Sequence, residues 1–534
     1  MDFGTAGLRS TMNMGVGCMN RFTVAHTTRG IAKLIKSVGG ESRGVAIAYD
    51  SRNNSRDFAR VSAAVLAGAG IKVYIFDDIR PTPEPSFALR ALGCVAGINI
   101  TASHNPKEYN GYKAYWEDGA QIGPEQASVV SQERLSFDVL DTAGIADYSV
   151  ALSNGLIVEL KSDFDELYLS KVMETGINKN AVKAVADKLS VVYTPLHGAG
   201  YRLVPEIFRR VGLKNLYTVD SQMIPDGNFP TVKKPNPEYS DVFAEGIEIA
   251  NRVGSDLVIA TDPDADRVGV MTRTASGGFK TISGNQMGAL LLDYAIKQKT
   301  EKGEINDKSY CVKSLVSTEM AYKIATDNGV KIHDVLTGFK FIGEVIKKAE
   351  ADGNDGGFIL GFEESYGYLL GSYARDKDAV GASMMILEMA AYYRALGMTL
   401  SDALDAIYKK YGYYSERTVD IYMEGLSGIE KRKRIMQTLR DNPPSEFAGA
   451  RVSKIADYKK CEVLELSTGE TSSTGQPSSD VLSYSLETGD KIIVRPSGTE
   501  PKIKIYILAH GECADEVKNK IANYSEAAQA VSDI

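Results

Sequence analysis

The chain has 534 residues, of which 43% are hydrophobic and 24% charged, and its formal net charge is −8. This length is too great for a single hydrophobic core and predicts three or four domains. No apolar run approaches the length of a membrane span. Acidic and basic residues are mixed along the chain, which argues against a nucleic-acid-binding protein, because such proteins need a clustered basic face.

The cysteine and histidine patterns argue against two common kinds of site. The five cysteines are scattered, odd in number and never spaced as CxxC, which disfavours a disulfide framework and a structural zinc site. None of the five histidines lies at HxxxH spacing, which disfavours a zinc hydrolase. Since no secretory signal segment is found either, the sequence predicts a protein of the reducing cytoplasm.

Strand-like and helix-like segments alternate through the first three-quarters of the chain, a pattern typical of parallel α/β units. Nine apolar runs in three sets are predicted strands: 44–50, 71–76 and 95–100; 190–195, 215–219 and 256–260; 310–316, 332–336 and 357–361. The last strand of each set leads into an unusual polar loop, TASHNP, TDPDADR or FEESYGY. Repetition of one plan predicts three related α/β domains. Their loops lie beyond the carboxyl ends of strands and can line one central cleft.

The C-terminal part of the chain follows a different plan. The Ser/Thr/Gly-rich stretch 467–480 predicts a flexible loop. Segments 491–494 and 502–508 are predicted antiparallel strands joined by the turn RPSGTEP, and an amphipathic helix over 514–531 is expected to cover their sheet. The sequence therefore predicts a fourth domain, of α+β type. The predicted boundaries are 1–160, 161–280, 281–410 and 411–534.

Three alternating carboxylates in TDPDADR predict a metal site. Asp262, Asp264 and Asp266 can point at one cation from an extended or turning loop, and oxygen ligands favour magnesium or calcium. An EF-hand loop also begins D-x-D-x-D, but here Arg267 stands where its glycine is needed and Arg273 where its glutamate is needed. An acidic surface turn is the plain alternative. The basic Arg267 after a buried strand weakens that alternative.

The turn RPSGTEPK (495–502) offers a cradle for a phosphate group. Ser497, Gly498 and Thr499 supply hydroxyls and approachable backbone amides, and Arg495 and Lys502 flank them. Amides and cations together suit a phosphate dianion. A plain hairpin turn remains the alternative, because Pro, Ser and Gly are common in turns.

The segment GFEESYGY (361–368) is suited to binding a sugar. Glu363 and Ser365 occupy alternate positions and would face one way if the segment is extended. A carboxylate and a hydroxyl so arranged suit two vicinal sugar hydroxyls, although solvated surface glutamates are common. Cations in TGFK (337–340) and RDKD (375–378) can meet a second anionic group.

The other polar loops indicate a function for Ser103 in TASHNP. A serine at a strand end, combined with a three-carboxylate metal loop and a phosphate cradle, suits phosphoryl transfer with Ser103 as the covalent carrier. Other catalytic motifs fail. GESRG (40–44) matches G-x-S-x-G, but a helix precedes it and a strand follows, the reverse of a hydrolase elbow. No P-loop or G-x-G-x-x-G motif occurs. His197, at another strand end, is predicted to be a packing residue.

The ordered motifs resemble those of the α-D-phosphohexomutase superfamily, the phosphoglucomutases and phosphomannomutases. FGTAGLR (3–9), TASHNP (101–106), DPDADR (262–267), FEESYGY (362–368) and RPSGTEPKIK (495–504) are similar to the family's N-terminal, phosphoserine, metal, sugar and phosphate motifs. The resemblance covers essentially the whole chain. TASHNPKEYNGYKAYWEDGAQI further resembles the phosphoglucomutase-2-type branch, some members of which act on pentose phosphates.

The resemblance implies a role for each matching residue. Ser103 would be phosphorylated and would bind magnesium together with Asp262, Asp264 and Asp266. His104 and Lys113 match positions of general acid/base work, and Arg267 would stabilise the transferring group. Contacts to the substrate are implied for Arg9, Lys340, Glu363, Ser365, Lys377, Arg495, Ser497, Gly498 and Thr499.

The function expected from this resemblance is that of an isomerase, a phosphoglucomutase. It would interconvert α-D-glucose 1-phosphate and glucose 6-phosphate through a phosphoserine and glucose 1,6-bisphosphate, with Mg²⁺ as cofactor. Phosphomannomutase or phosphopentomutase activity by the same mechanism is the alternative, and a non-catalytic sugar-phosphate-binding protein is a third. The expected partners are small sugar phosphates, with no nucleic acid or membrane. The expected oligomeric state is a monomer, with a dimer as the alternative.

Overall fold

A computed structural model of the chain describes residues 3, 7–423, 425–498 and 501–533. The chain forms two compact units. Unit 1 comprises Met1–Val312 and Gly338–Ala403, and unit 2 comprises Lys313–Thr337 and Leu404–Ile534. Among the described residues, no helix is both long and apolar enough to cross a membrane.

The first sheet of unit 1 carries the phosphoserine motif. Its strands are β1 (Gly7–Thr11), β2 (Val45–Tyr49), β3 (Val73–Phe76), β4 (Ala96–Ile100), β5 (Tyr109–Trp116) and β6 (Ile157–Leu160), in the order β1-β5-β4-β2-β3-β6. Strands β2, β3, β4 and β6 are parallel, whereas β1 and β5 are antiparallel additions at one edge. Every residue of β2 and β4 is buried, as expected for central strands covered by helices on both faces.

Six helices accompany this sheet: α1 (Arg21–Ser37), α2 (Ser55–Gly68), α3 (Pro83–Ala91), α4 (Pro124–Arg134), α5 (Tyr148–Ser153) and α6 (Ser162–Glu174). Helix α1 begins at a capping box in which the Asn20 side chain accepts from the Thr23 amide and Thr23 Oγ1 accepts from the Asn20 amide. The loop 101–108 leaves the carboxyl end of β4 and returns into β5. Ser103 and Lys113 are therefore positioned by two neighbouring strands.

The second sheet holds the carboxylate motif in a hairpin. Its strands are β7 (Ser190–Thr194), β8 (Asn215–Thr218), β9 (Leu257–Thr261), β10 (Val268–Arg273) and β11 (Phe279–Ile282), in the order β11-β10-β9-β7-β8. Its helices are α7 (Ala181–Ala184), α8 (Gly200–Arg210) and α9 (Ala244–Val253), with a 3₁₀ turn at Ser240–Phe243. Strands β9 and β10 are antiparallel and pair Thr261 with Val268, so residues 262–267 form the hairpin loop.

A third group of elements carries the sugar motif. It contains α10 (Gly284–Glu301), β12 (Tyr310–Ser314), α11 (Met320–Asp327), β13 (Lys331–Val335), α12 (Phe339–Ala351), β14 (Phe358–Glu363), β15 (Gly367–Leu369) and α13 (Ala379–Ala395). Helix α11 and strand β13 belong to unit 2. Strands β14 and β15 pair Glu363 with Gly367. Helix α13 is buried around its circumference and packs on α7, α8 and β15.

Unit 2 also contains the C-terminal domain. After α14 (Leu400–Tyr411) come β16 (Tyr413–Tyr422), α15 (Gly425–Asp441), β17 (Glu446–Phe447), β18 (Ala450–Asp457), β19 (Glu462–Glu465), β20 (Thr471–Ser473), β21 (Leu482–Leu486), β22 (Lys491–Pro496), β23 (Lys502–Gly511) and α16 (Ala514–Gln529), with a 3₁₀ turn at Ala530–Asp533. The strand order is β16-β23-β22-β21-β18-β19-β20, and β17 pairs with β18. Helix α16 packs on β16 and β23, which confirms that the last helix covers the sheet.

The predicted fold class is confirmed, with one local correction. Three α/β domains are followed by a β-rich C-terminal domain, and all nine predicted strands are present. The prediction of a flexible loop over 467–480 is wrong in part, because Thr471–Ser473 forms strand β20 and pairs with β19. Thr and Ser tolerate an exposed edge strand, so composition did not distinguish this strand from a loop.

A stability prediction follows from the close approach of β5 to the phosphoserine loop. A Cβ atom on Gly111 would lie 2.4 Å from the carbonyl oxygen of Thr101, which is backbone and cannot rotate away. We expect Gly111→Ala to lower the free energy of unfolding by roughly 1–3 kcal/mol, the usual cost of overpacking. Urea denaturation measures this change. Gly356→Ala is the matched control, because a Cβ atom added there would meet no other group within 4 Å. An unchanged midpoint for Gly111→Ala would contradict the prediction.

Candidate active site

The side chain of Ser103 points into the carboxylate loop. Ser103 is only 3% exposed, and its Oγ donates to Asp262 Oδ2 at 2.8 Å. The same oxygen lies 3.1 Å from His104 Nδ1. A hydroxyl has one hydrogen to donate, so with that hydrogen given to Asp262 the contact with His104 requires an Nδ1–H donor. Burial and the nearby Arg267 guanidinium lower the pKa of His104 well below its usual range, so the imidazole is neutral at neutral pH.

The three aspartates form a buried cluster that can hold a metal ion. Oxygens of Asp262, Asp264 and Asp266 all lie within 4.8 Å of one another, and all three residues are buried. Asp264 Oδ1 and Asp266 Oδ1 are buried and accept no hydrogen bond from the described residues. Burial and the two neighbouring carboxylates raise the pKa of Asp262 well above its usual range. Crowded carboxylates with unsatisfied oxygens fit a hard divalent cation.

Cationic side chains surround this cluster. Lys113 Nζ donates to Asp264 Oδ2 at 2.8 Å and to Asp266 Oδ2 at 3.0 Å, and Lys377 Nζ lies 3.3 Å from Asp266 Oδ2. Burial by itself would raise the pKa of Asp266, but the two ammonium groups outweigh it and lower that pKa. Arg267 Nη1 donates to Glu238 Oε1 at 2.7 Å. The cluster therefore combines buried negative charge with positive groups suited to a phosphoryl group.

Direct contacts join the three predicted loops, and Thr82 adds to them from the start of α3. Ser103 Oγ of the phosphoserine loop donates to Asp262 Oδ2 of the carboxylate loop at 2.8 Å. Thr82 donates twice to the carboxylate loop, from its amide to the Asp264 carbonyl at 2.7 Å and from its Oγ1 to Asp264 Oδ2 at 2.8 Å. Arg267 forms a β-bridge with Gly367 of the sugar motif. The expectation that the three loops meet in one place is thereby confirmed within unit 1.

Each of the three loops contains one non-glycine residue in the left-handed region. These are Ser103 with φ 51°, Ala265 with φ 46° and Tyr366 with φ 67°. This conformation is unfavourable for L side chains and is retained when surrounding contacts enforce it, most often at functional sites. All three motif loops contain a residue in this conformation, so backbone strain and side-chain chemistry identify the same site.

The sugar motif is not extended throughout, although Glu363 and Ser365 would face the same way only in an extended segment. Glu363 is the last residue of β14, whereas Ser365 lies in the tight turn to β15 and is partly buried. Glu363 Oε1 accepts from the Gly338 amide at 2.8 Å, and burial raises the pKa of Glu363. The turn arises because β14 and β15 pair directly at Glu363 and Gly367, which leaves three residues to reverse the chain.

The remaining predicted residues divide between the two units. In unit 1, Arg9 Nη1 donates to Asn105 Oδ1 at 3.3 Å, next to the phosphoserine motif. Lys340 is at the start of α12, with Nζ 5.1 Å from the Phe341 ring centroid. Arg495, Ser497 and Gly498 lie in unit 2.

Within unit 2 the predicted phosphate turn connects β22 and β23. Arg495 is in β22, and its guanidinium lies 6.0 Å from the Tyr506 ring centroid. The Ser497 amide donates to the Lys502 carbonyl at 2.9 Å, and Gly498 is exposed. Thr499 lies outside the described residues.

Sequence reasoning missed several residues of the site. Thr82 and Glu238 carry no motif, because each reaches the site from a segment distant in sequence, and Asp376 lies in RDKD (375–378), which was considered only for its cations. Asp376 accepts from Tyr115 OH at 2.9 Å and from Lys377 Nζ at 3.1 Å, which fixes Lys377. His197 is correctly predicted as structural. It is 1% exposed and contacts the Ile224 carbonyl and Thr231 Oγ1.

Cavity size does not identify this site. A groove of about 1170 Å³ in unit 1 is lined by Phe87, Lys171, Lys302 and Tyr373, among others, and by none of the predicted site residues. The buried carboxylates, the serine and the cations identify the site by their chemistry instead.

Comparison with known families accounts for these features. Three domain families described as "Phosphoglucomutase/phosphomannomutase, alpha/beta/alpha domain" I, II and III match the chain, at residues 1–135, 166–277 and 283–411 respectively. A phosphoglucomutase of Staphylococcus aureus strain MRSA252 is 38% identical over 521 residues, which is 98% of this chain and 92% of the relative.

Solved structures share the fold at lower identity. The open form of parafusin, a phosphoglucomutase of Paramecium, has a TM-score of 0.71 at 18% identity and covers 99% of this chain and 95% of its own. A phosphoglucomutase/phosphomannomutase family protein of Burkholderia thailandensis has a TM-score of 0.69 at 17% identity, with 99% and 97% covered. The resemblance stated from the motifs is confirmed: the chain belongs to the phosphoglucomutase/phosphomannomutase family of the α-D-phosphohexomutase superfamily, and it is an isomerase of the phosphotransferase type.

Proposed function

We propose that the protein is a phosphoglucomutase that interconverts α-D-glucose 1-phosphate and glucose 6-phosphate through phospho-Ser103 and glucose 1,6-bisphosphate. One observation carries this proposal. The Ser103 hydroxyl is buried, held in a left-handed turn and directed at Asp262 in a cluster of three carboxylates. A serine with only a structural role has no need of this arrangement, whereas a phosphoryl carrier does.

Mg²⁺ is the cofactor in this proposal, bound by Asp262, Asp264, Asp266 and the phosphorylated Ser103. The unsatisfied buried oxygens of Asp264 and Asp266 support a resident cation. When bound, Mg²⁺ supplies charge neutralisation of the phosphoryl group. The carboxylate-only donor set is that preferred by hard cations and not by zinc or copper.

The transfer step exchanges one phosphorus–oxygen bond for another. The bond between phosphorus and Ser103 Oγ breaks, and phosphorus bonds to the free C6 or C1 hydroxyl oxygen of the sugar. The hydroxyl proton must leave the sugar as a proton reaches Ser103 Oγ. Neutral His104 can donate to that oxygen from Nδ1, 3.1 Å away, and its unprotonated Nε2 can take up a proton in exchange. Lys113 and Arg267 supply positive charge to the group in transit.

The bisphosphate then reorients in the site, and its other phosphate is transferred to Ser103. Both orientations must satisfy the same contacts, so Glu363 and Ser365 bind sugar hydroxyls common to both. Arg9, Lys340 and Lys377 contact the substrate from unit 1. The distal phosphate is bound by Arg495, Ser497, Gly498 and Thr499.

We also propose that the protein is located in the cytoplasm and is a monomer. None of the five cysteines forms a disulfide, which supports a reducing compartment.

A coupled assay with glucose, mannose and ribose 1-phosphates tests the substrate assignment. We expect Mg²⁺-dependent turnover with the highest kcat/KM for α-D-glucose 1-phosphate, as the names of the curated relatives suggest. A higher value for the mannose or ribose substrate would replace the assignment with phosphomannomutase or phosphopentomutase. Absence of turnover with all three sugars would favour the non-catalytic binding protein.

The phosphate turn gives a separate prediction. Arg495→Ala removes a charge-assisted contact to the distal phosphate, worth roughly 1.5–3 kcal/mol, so kcat/KM should fall about 10- to 100-fold. Part of that binding energy can serve to order the bound sugar, so kcat falls as well. Magnesium affinity should be unchanged, because the three aspartates are in unit 1. Steady-state kinetics and metal titration measure both effects. Arg451→Ala is the matched control, because Arg451 is an exposed arginine of β18. An unchanged kcat/KM for Arg495→Ala would mean that the turn is only a hairpin and does not bind the distal phosphate.

A further inference from the structure

One buried arginine gathers the backbone of the phosphoserine loop. Arg52 follows β2, and its side chain is fully buried. Its Nη2 donates to the carbonyls of Ser103 and Asn105, and its Nη1 donates to those of Pro106 at 2.9 Å and Tyr109 at 3.1 Å. Three carbonyl groups of the 101–108 loop, and that of Tyr109 at the start of β5, therefore converge on one guanidinium.

The guanidinium is itself fixed from two sides. Arg52 Nε forms an ion pair with Asp50 Oδ2 at 3.3 Å, and both side chains are fully buried. Asp50 Oδ1 accepts from the Arg52 amide at 2.9 Å and from Ser55 Oγ at 2.7 Å. The Phe229 ring centroid lies 5.1 Å from Arg52 Cζ. A buried charge needs such a counterion, and the surrounding contacts determine the plane of the fork.

Ser103 requires support because of its backbone conformation. Its φ of 51° is in the left-handed region, which L residues rarely adopt without external contacts. The Ser103 amide donates to Thr101 Oγ1 at 2.7 Å, and its carbonyl accepts from Arg52. The residue is thus held at both ends, which leaves Oγ directed at Asp262.

We propose that Arg52, anchored by Asp50, is a positioning residue that holds Ser103 in the conformation from which the phosphoryl group is transferred. The proposal rests on Ser103 being the carrier. Among the described residues, no hydrogen bond or ion pair joins Arg52 to the three aspartates; its charge interacts with Asp262 and Asp264 only at longer range, and Arg52→Lys keeps that charge. It acts through the loop backbone and not on the reacting atoms.

The geometry requires a guanidinium and not merely a positive charge. Arginine presents five N–H donors in a rigid plane, whereas lysine presents three donors at one point on a flexible chain. Lysine at position 52 keeps the charge but cannot reach carbonyls spread from Ser103 to Tyr109. Arg52→Lys therefore separates loop positioning from simple charge balance.

The test compares Arg52→Lys with the wild type and with Arg56→Lys. Arg56 is an exposed arginine of α2 that donates to the Asp77 carbonyl, so it controls for the substitution itself. Two quantities are measured on the full-length protein: deuterium uptake by peptides covering 101–110 and 262–267, and the rate constant of phosphoryl transfer from the phosphoenzyme to glucose 1-phosphate in a rapid quench. The rate constant is expressed per phosphorylated molecule, so partial unfolding cannot change it.

For Arg52→Lys we expect faster deuterium uptake in peptides over 101–110, unchanged uptake over 262–267, and a transfer rate constant lower by about tenfold, the factor that matches the loss of one hydrogen bond to a charged group. Unchanged uptake over 101–110 would overturn the proposal, and so would faster uptake with an unchanged rate constant. If Arg52→Lys does not fold, Asp50→Asn keeps the guanidinium and removes its counterion, and the same increase in uptake is required. Absence of phosphate on wild-type Ser103 would contradict the proposed function, while the uptake comparison would still decide whether Arg52 holds the loop.

Discussion

Ser103→Ala is expected to abolish mutase turnover while the protein remains folded. Without Oγ there is no atom on which the phosphoryl group can reside between its two transfers, so kcat should fall on the order of 10⁴-fold or more, as for other nucleophile deletions. The cost to stability is small, roughly 1–2 kcal/mol, because the substitution removes the hydrogen bonds of Oγ with Asp262 and His104 and creates only a small cavity.

The measurement is a coupled assay of glucose 6-phosphate formation together with thermal unfolding followed by circular dichroism. Ser136→Ala is the matched control, since Ser136 is exposed and its Oγ donates only to the nearby Glu133 carbonyl. Turnover near the wild-type value by a folded Ser103→Ala protein would contradict the phosphoserine mechanism.

Asp264→Asn is expected to weaken magnesium binding and to lower turnover in parallel. Asp264 Oδ2 accepts from both Lys113 Nζ and Thr82 Oγ1, each at 2.8 Å. The carboxamide oxygen of asparagine must take that side, so its NH₂ group faces the other carboxylates where the cation would lie. A donor in that position neither ligates nor balances charge, and we expect magnesium affinity to fall about 10- to 100-fold.

Isothermal titration with Mg²⁺ and activity at several metal concentrations measure this effect. Asp256→Asn is the control. Asp256 lies at the other end of β9, where its Oδ2 accepts from the Ser190 amide at 3.0 Å. Activity that survives both Asp264→Asn and exhaustive chelation would show that the cluster does not bind a required metal.

The sequence predicted the parts of the site that share a loop. Asp262, Asp264 and Asp266 are neighbours along the chain, so their spacing predicts their proximity directly. The contact between Ser103 and Asp262 joins two domains, yet it was expected because both loops leave the carboxyl ends of buried strands. Strand periodicity and loop position therefore predicted the fold and the meeting of Ser103 with the three aspartates.

Contacts without a motif could not be predicted in this way. Thr82 reaches Asp264 from the start of α3, and Arg52 reaches the Ser103 loop from the end of β2. Both depend on how separate elements pack, which a single sequence does not encode as a local pattern. The turn at Ser365 is similar, because the pairing of β14 with β15 decides where the strand ends. Local pattern predicts elements, and packing decides which side chains meet.

The measurement that tests the central claim most directly follows phosphate on Ser103 during turnover. Enzyme is mixed with glucose 1,6-bisphosphate labelled with ³²P, quenched on the millisecond scale and digested, and the label in the peptide containing Ser103 is counted before and after a chase with glucose 1-phosphate. We expect label on Ser103 that passes into the sugar phosphates at a rate no slower than kcat. Label that is absent from Ser103, or that leaves it more slowly than the enzyme turns over, would contradict the account.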